Sequence, residues 1–146
     1  MKTAAQILAA KTDGNIYTTV PEASVLEAVK LLAEKSIGAL VVMEHDVVVG
    51  IISERDYARK VILMDRSSKG TKVRDIMTSP VISVRPDQTS EICMAIMTDN
   101  RLRHLPVIDQ QKLMGIVSIG DLVKDVISDQ KFIIQQFQHY IAGERS

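Results

Sequence analysis

The sequence predicts an α/β (α+β) fold built from two copies of one small unit. Three observations predict it. A heptapeptide that ends in Ser-x-x-Asp occurs at residues 50–56 and again at 115–121, 65 residues later. The residues around it keep the same offset, so that Pro21 corresponds to Pro86. In each unit, apolar runs of strand length alternate with stretches of helical spacing in the order β-α-β-β-α.

Composition limits the class of protein. The chain has 146 residues, of which 46% are hydrophobic and only 3% aromatic, so the core must be aliphatic. A unit of about 60 residues buries too little apolar surface to be stable alone, so the two units should pack through their sheets. Eighteen basic residues balance eighteen acidic ones, which argues against a nucleic-acid partner. No apolar stretch is long enough to predict a membrane span.

The cysteine and histidine content argues against redox or metal chemistry. Cys93 is the single cysteine, so an internal disulfide is excluded and a reducing, cytoplasmic location is predicted. It lies in an apolar helical pattern and is interpreted as a core residue. His45, His104 and His139 lack metal-ligand spacing, so no metal site is predicted. Neither a nucleophile elbow nor a phosphate-binding loop occurs, so we do not expect an enzyme.

The first unit is predicted to span residues 4–65. Apolar residues recur at helical spacing after Ser24, whose hydroxyl can cap the helix, and Pro21 ends the strand before it. The two runs before the heptapeptide's Ser are continuously apolar, so their hairpin should be covered on both faces. The predicted elements are a lead-in helix over 4–10, a strand over 16–20, a helix after Ser24, strands over 39–43 and 47–52, and a helix over 54–64.

A polar segment over 66–72 is predicted to link the units, and the second unit, 73–127, repeats the order of the first. Its lead-in turn is the counterpart of the first unit's lead-in helix. The predicted elements are a helical turn over 73–77, a strand over 81–84, a helix after Thr89, strands over 104–108 and 112–117, and a helix after Ser118.

The last helix is expected to continue through residues 128–146, well past the end of its first-unit counterpart. A large apolar stripe is rarely left in water, so it should either fold back on its own domain or pack on a second copy. We predict the second arrangement, a homodimer, because symmetric dimers are the commonest closed assembly. The apolar residues of the tail that fall near helical spacing are Val126, Ile133, Phe137, Tyr140 and Ile141.

The repeated Ser-x-x-Asp corner has two interpretations. The structural one is a capping box, in which the Ser hydroxyl and the Asp carboxylate satisfy backbone N–H groups of the helix start. The functional one uses the same geometry, because free N–H groups at a helix N-terminus bind anions. An Asp one turn into the helix can also accept hydrogen bonds from both hydroxyls of a ribose. The two interpretations are compatible, since a ligand can recruit a capping carboxylate.

Three sequence features in order resemble the CBS domain family, which is named for cystathionine β-synthase. They are Val73-x-Asp75-Ile76-Met77-Thr78, Arg103-His104-Leu105-Pro106-Val107 and the paired corners. The resemblance runs from about Ala4 to Ile127 and corresponds to two CBS repeats, the tandem known as a Bateman module. It implies a pseudo-twofold sandwich with two clefts between the repeats. In the family these clefts commonly bind AMP, ADP, ATP or NAD, and S-adenosylmethionine is a less expected ligand here.

The resemblance also implies site residues. Asp56 and Asp121 would hold ribose hydroxyls, and Ser53 and Ser118 would face phosphates. Three basic residues would either reach a phosphate or remain surface charges. Arg55 lies inside the first corner, and Arg103 and His104 lie at the start of the strand predicted over 104–108 in the second unit. The segments expected to meet the base or to line the clefts are Tyr17, Thr18, Thr19 and Val20, then Ile82, Ser83 and Val84, and finally Gly38 and Ala39.

The two Ser-x-x-Asp corners and the resemblance to the CBS domain family together predict a regulatory module. It would sense an adenosine-containing ligand and change its shape or its protein partner when the ligand is bound. The partner itself is not predicted. The alternative is a dimerisation scaffold whose clefts stay empty, and a third hypothesis is a nucleotide hydrolase.

Overall fold

The computed structural model describes residues 2–145, apart from the side chains of residues 140 and 143–145, so the apolar contribution predicted for Tyr140 lies outside the described residues. The helices are α1 (Ala4–Ala9), α2 (Val25–Lys35), α3 (Glu54–Tyr57), α4 (Val73–Ile76), α5 (Ser90–Asn100) and α6 (Ile119–Arg145). The strands are β1 (Thr18–Thr19), β2 (Ala39–Glu44), β3 (Val47–Ser53), β4 (His104–Asp109) and β5 (Lys112–Ser118). The mixed α/β class and the two matching units are confirmed.

The main helix of each unit begins and ends with the same chemistry. Ser24 caps α2 by accepting a hydrogen bond from the Glu27 N–H, and Thr89 caps α5 by accepting one from the Ile92 N–H. Each helix stops at a residue in the left-handed conformation, Ser36 with φ 54° and Arg101 with φ 55°. The predicted starts of both helices at Ser24 and Thr89 are therefore confirmed, and a left-handed residue ends each helix.

Each unit contains an antiparallel hairpin with the same register. Val42 lies opposite Gly50 in β2–β3, and Val107 lies opposite Gly115 in β4–β5. In both hairpins a register shift follows immediately, toward the turn. In the first unit β1 adds a third, parallel strand beside β2. The repeat detected in the sequence is thus also a repeat of backbone pairing.

The strand predicted over 81–84 is wrong. Only Val84 pairs, through a single parallel bridge to Val107. The Val84 N–H donates to the Pro106 carbonyl at 3.0 Å, and the Val84 carbonyl accepts from the Ile108 N–H at 2.9 Å. Pro106 has no N–H, so the ladder cannot continue toward Ile82. The first unit has Val41 at the corresponding position, and there Thr18 and Thr19 both pair, although the strand is shorter than the predicted 16–20.

The helix predicted over 54–64 is confirmed only in its first turn. After α3 the chain continues as a π-helical segment, Ala58–Ile62, and the Leu63 N–H donates to the Ala58 carbonyl at 3.0 Å. Its counterpart α6 is continuous over 27 residues, or about 40 Å.

The lead-in helices cross between the units. The Ala4 N–H of α1 donates to the Gln88 carbonyl of the second unit at 2.8 Å, and the Val73 N–H of α4 donates to the Ala23 carbonyl of the first at 2.9 Å. The residue ranges 4–65 and 73–127 therefore describe the sequence repeat, while each core is completed by the other unit's lead-in. The second-unit core includes Ala4, Ile7, Leu105, Val117 and Leu122, and the first-unit core includes Val25, Leu40, Ile52, Val73 and Ile76.

The last part of α6 does not fold back on its own domain. Every described side chain from 131 onward is exposed, and Phe137 has 63% of its surface accessible. Of the two arrangements open to the apolar stripe, folding back is therefore excluded for the described residues. Within residues 2–145 the chain forms no helix with the length and apolar character that a membrane crossing requires.

Candidate functional site

Both Ser-x-x-Asp corners form the capping box. At the start of α3, the Ser53 N–H donates to Asp56 Oδ2 at 3.0 Å and the Asp56 N–H donates to Ser53 Oγ at 3.2 Å. At the start of α6, the Ser118 N–H donates to Asp121 Oδ2 at 2.9 Å and the Asp121 N–H donates to Ser118 Oγ at 3.2 Å. The structural interpretation of the corners is confirmed, and each carboxylate still has an oxygen that the cap does not use.

A lysine is paired with each corner aspartate. Lys60 Nζ lies 3.1 Å from Asp56 Oδ1 and donates to the Ile76 carbonyl at 2.9 Å. Lys11 Nζ lies 3.0 Å from Asp121 Oδ2 and donates to the Ile116 carbonyl at 3.0 Å. The two aspartate side chains are only 13% and 14% exposed. Each corner is therefore tied to a crossing segment, because Lys11 follows α1 and Ile76 ends α4.

The first cleft lies beside Asp121 and has a volume of about 370 Å³. We call it the Asp121 cleft. One wall carries Tyr17, whose hydroxyl donates to Asp13 Oδ2 at 2.8 Å. Much of the remaining wall is apolar and comes from Leu8, Ile16, Ile37, Ala39 and Met114. A flat aromatic ligand fits such a surface, since aromatic and aliphatic walls bind an unsaturated ring through dispersion and desolvation.

The second cleft lies beside Asp56 and has a volume of about 270 Å³. We call it the Asp56 cleft. Its wall is strongly basic, and its apolar lining is limited to Ile51 and Leu102. The Thr78 hydroxyl approaches Asp56 Oδ1 at 3.4 Å from the crossing segment. The cationic side chains that line it are Arg55, Arg59, Lys60, Arg101 and Arg103.

His104 is shared by the two clefts and forms part of both walls. A Cβ atom on Gly38 would come within 2.9 Å of His104 Nε2, so the absence of a side chain at residue 38 makes room for the imidazole. Burial lowers the pKa of His104, and the neighbouring Lys11 and Arg103 lower it further. The imidazole is therefore neutral at pH 7 and can donate through one nitrogen and accept through the other.

The charge states of the corner groups follow from their contacts. Burial raises the pKa of Asp121, but hydrogen bonds from Ser118 and Lys11 outweigh it and leave the pKa below its ordinary value. The carboxylate is thus ionised at neutral pH and can accept hydrogen bonds from hydroxyl groups. In the other cleft, repulsion from Arg59 is the largest cause that lowers the pKa of Arg55.

The clefts gather many of the predicted site residues. Ser53, Arg55, Asp56, Arg103 and His104 line the Asp56 cleft, whereas Gly38, Ala39, His104, Ser118 and Asp121 line the Asp121 cleft. The residues lining the two clefts do not include Thr18, Thr19, Val20, Ile82, Ser83 or Val84, whose binding roles stay predictions.

Several lining residues were not predicted. Lys11 and Thr78 belong to crossing segments, and no local pattern in the sequence points to their aspartates. Arg59 and Lys60 do carry a signal, because they follow Asp56 at helical spacing and so share its face. In the described part of the chain, no group of three or more potential metal-ligating side chains lies close enough together to hold an ion.

Comparison with known proteins decides the family. The family model described as the CBS domain matches residues 9–63 and 73–128. The chain belongs to the CBS domain family. The CBS domain-containing protein CBSX3 of Arabidopsis thaliana, described as mitochondrial, is 43% identical over 136 residues, which are 90% of this chain and 66% of that protein. The solved structure of a protein from Burkholderia ambifaria, described as a putative signal-transduction protein with CBS domains, is also similar. Its sequence is 56% identical, and the two structures match with a TM-score of 0.85 over 88% of this chain and 96% of that one.

Two further relatives bear on function. The crystal structure of CBSX2 in complex with AMP is 26% identical, with a TM-score of 0.73 over 89% of this chain and 99% of that one. The inosine-5'-monophosphate dehydrogenase of Methanocaldococcus jannaschii is 34% identical, but the match covers 75% of this chain and only 21% of the enzyme. The CBS pair is therefore a module that occurs both in stand-alone proteins and as a small part of an enzyme.

Proposed function

We propose that this CBS pair is a regulatory module that binds an adenosine-containing nucleotide in its two clefts and signals through a change in shape or partner. The observation that carries the proposal is the pair of corners, each with a carboxylate beside a cleft of about 270 to 370 Å³. The larger volume lies at the lower end of the range of about 300–1,000 Å³ for small-molecule sites, and the smaller volume lies just below it. AMP, ADP, ATP and NAD are the candidate ligands, with S-adenosylmethionine less expected.

In the Asp121 cleft the ligand would make three kinds of contact. The base would lie against Tyr17 and the apolar wall, and the ribose hydroxyls would donate to Asp121. The phosphate would accept from the Ser118 hydroxyl and from Lys11, which is already 3.0 Å from the carboxylate. Charge-assisted hydrogen bonds of this kind contribute about 1.5–3 kcal/mol each.

Signalling would act through the crossing segments. Lys11 joins the end of α1 to Asp121, and Thr78, just after α4, approaches Asp56. A ligand that hydrogen-bonds to either carboxylate would compete with Lys11 or Thr78 for it. Binding would therefore change a contact between a lead-in segment and the unit on which that segment packs. Occupancy of a cleft would therefore bias the arrangement of the two units, which a protein partner can detect.

We propose a binding role rather than catalysis. The part of inosine-5'-monophosphate dehydrogenase that this chain matches is a minor share of that enzyme. A carboxylate that holds a ribose accounts for Asp56 and Asp121 without a reaction. The reducing compartment stays a prediction supported by the buried, unpaired Cys93. The cytoplasm is our proposal, and the Arabidopsis relative is described as mitochondrial.

We also propose that the chain forms a homodimer through α6. The helix exposes an apolar stripe of Ile127, Ile134, Phe137 and Ile141 among others. A second copy is the occupant we favour, because the first half of α6 carries Lys124, Asp129 and Lys131 outside the buried core, and opposite charges on one helix can pair with their copies across a symmetric interface. A hexameric CBS-CP12 protein from cyanobacteria, 31% identical with a TM-score of 0.75 over 83% of this chain and 66% of that one, assembles beyond a monomer.

Calorimetry and thermal shift with AMP, ADP, ATP, NAD and S-adenosylmethionine test the proposed function. Asp56→Asn and Asp121→Asn keep an acceptor for the capping N–H but lose the charge, so each should reduce affinity at its own cleft about 10-fold or more. The matched control is Asp109→Asn, an exposed aspartate at the end of β4. If none of the five ligands at millimolar concentration raises the melting temperature, the nucleotide-binding proposal fails and the scaffold is favoured.

A further inference from the structure

We propose that the two clefts select their ligands by phosphate number. The Asp56 cleft takes a polyphosphate group such as that of a nucleoside triphosphate, and the Asp121 cleft takes a nucleoside or a nucleoside monophosphate. The inference rests on the proposed function for the adenosine moiety, and it goes further by assigning a different ligand class to each cleft.

The first argument is the charge of the Asp56 cleft. Five cationic side chains line it, four arginines and Lys60, against the single carboxylate of Asp56. Lys60 is paired with that carboxylate at 3.1 Å. In the described part of the chain, none of the four arginines has a carboxylate within ion-pair distance. Four guanidinium groups are thus gathered around one cavity whose single carboxylate is already paired with Lys60.

Such a cluster is unfavourable in the absence of a ligand. Like charges held close together repel each other, and the repulsion is stronger beside the low-dielectric protein than in open water. The pKa of Arg55 is lowered first by repulsion from Arg59, then by desolvation and then by repulsion from Arg103, with Asp56 acting in the opposite direction. A polyanion relieves the repulsion, because guanidinium groups form bidentate hydrogen bonds with phosphate oxygens. Each added phosphate therefore gains attraction in this cleft.

The second argument is the contrasting composition of the Asp121 cleft. Its lining contains one cation, Lys11, against two carboxylates, Asp13 and Asp121. Lys11 is already engaged with Asp121 and with the Ile116 carbonyl. Extra phosphates that stay within this cleft would therefore meet a net negative lining and no spare cation. The aromatic wall at Tyr17 and the larger volume suit the base and ribose instead.

Variants that disable one cleft at a time make the inference testable. Asp121→Asn leaves the Asp56 cleft as the intact site, and Asp56→Asn leaves the Asp121 cleft. Calorimetric titrations with adenosine, AMP, ADP and ATP, in magnesium-free buffer at low and high salt, then give an affinity series for each cleft. We expect affinity in Asp121→Asn to rise at least 10-fold from AMP to ATP and to weaken as salt rises. In Asp56→Asn, the affinity for ATP should be equal to or lower than the affinity for AMP.

Charge variants and an inorganic probe complete the test. The double substitution of Arg59→Gln with Arg103→Gln should remove the ATP preference while AMP binding at the Asp121 cleft is kept. Arg85→Gln is the control, since Arg85 is exposed and pairs with Asp87 away from both clefts. Circular dichroism and the melting temperature establish that each variant is folded.

Inorganic tripolyphosphate separates the two proposals. It should bind the wild type, and the double arginine variant should lose that binding. If tripolyphosphate binds in this way but no adenosine ligand does, the proposed function fails and the polyanion site stands. If the ratio of ATP affinity to AMP affinity is the same in both clefts, or if ATP binds more tightly in the Asp121 cleft, the proposal of selection by phosphate number is overturned and the proposed function stands. If neither probe binds, both proposals fail.

Discussion

Asp125 is expected to destabilise the ligand-free protein. It lies in α6, one turn after Asp121, and only 4% of its surface is exposed. Neither carboxylate oxygen has a hydrogen-bond partner among the described residues. It lines a third cleft of about 340 Å³, between the N-terminal segment and α6, together with Lys2, Lys11 and Lys124, yet none of these lysines lies within ion-pair distance of it. The native state therefore buries a polar group without compensation.

The magnitude follows from the missing contacts. Leaving a buried polar group unsatisfied costs about 1–3 kcal/mol, and a charged group costs more. Asp125→Asn removes the charge at nearly constant volume, and Asp125→Leu removes the polar group while the adjoining cleft gives the larger side chain room. Each should raise the free energy of unfolding by about 1–3 kcal/mol. At about 3 °C for each kcal/mol in a chain of this length, the melting temperature should rise by about 3–9 °C.

Thermal and urea unfolding at one fixed protein concentration measure the effect, because self-association would make the melting temperature depend on concentration. The matched control is Asp99→Asn, an exposed aspartate on α5, which should change stability by no more than about 0.5 kcal/mol. If both Asp125 variants melt at a lower temperature than the wild type, the carboxylate is a stabilising partner in solution and the reasoning from burial is refuted.

Two further predictions concern assembly and pH. Deleting residues 129–146 should convert the proposed dimer to a monomer in sedimentation and leave the proposed nucleotide affinity unchanged, because the deleted part of α6 lies beyond both clefts. A full-length chain that is monomeric at high micromolar concentration contradicts this. Burial lowers the pKa of His104, so the unfolded state takes up its proton first and stability should fall as pH decreases below about 6.5. Between pH 7.5 and 5.5, the melting temperature of His104→Gln should fall less than that of the wild type. If the melting temperatures of the two proteins depend equally on pH, His104 is not the group responsible.

Repetition and capping made much of the fold predictable. The helices after Ser24 and Thr89 and both corner capping boxes depend on residues three or four positions apart. Interactions at that range leave a periodic or paired signal in the sequence. The strand expected over 81–84 was lost for a reason that is not local, because Pro106, which lacks an N–H, limits the pairing only once β4 lies beside Val84.

The sequence by itself determined the two units, their corners and the carboxylates that the corners hold. Only the tertiary structure decided how the units complete each other. The exchange of α1 and α4, the pairing of Lys11 with Asp121 across 110 residues, and the placement of His104 between both clefts depend on chain crossing. The gathering of four arginines at Asp56 likewise joins two distant segments. Such contacts have no fixed spacing along the chain, so no periodic pattern encodes them.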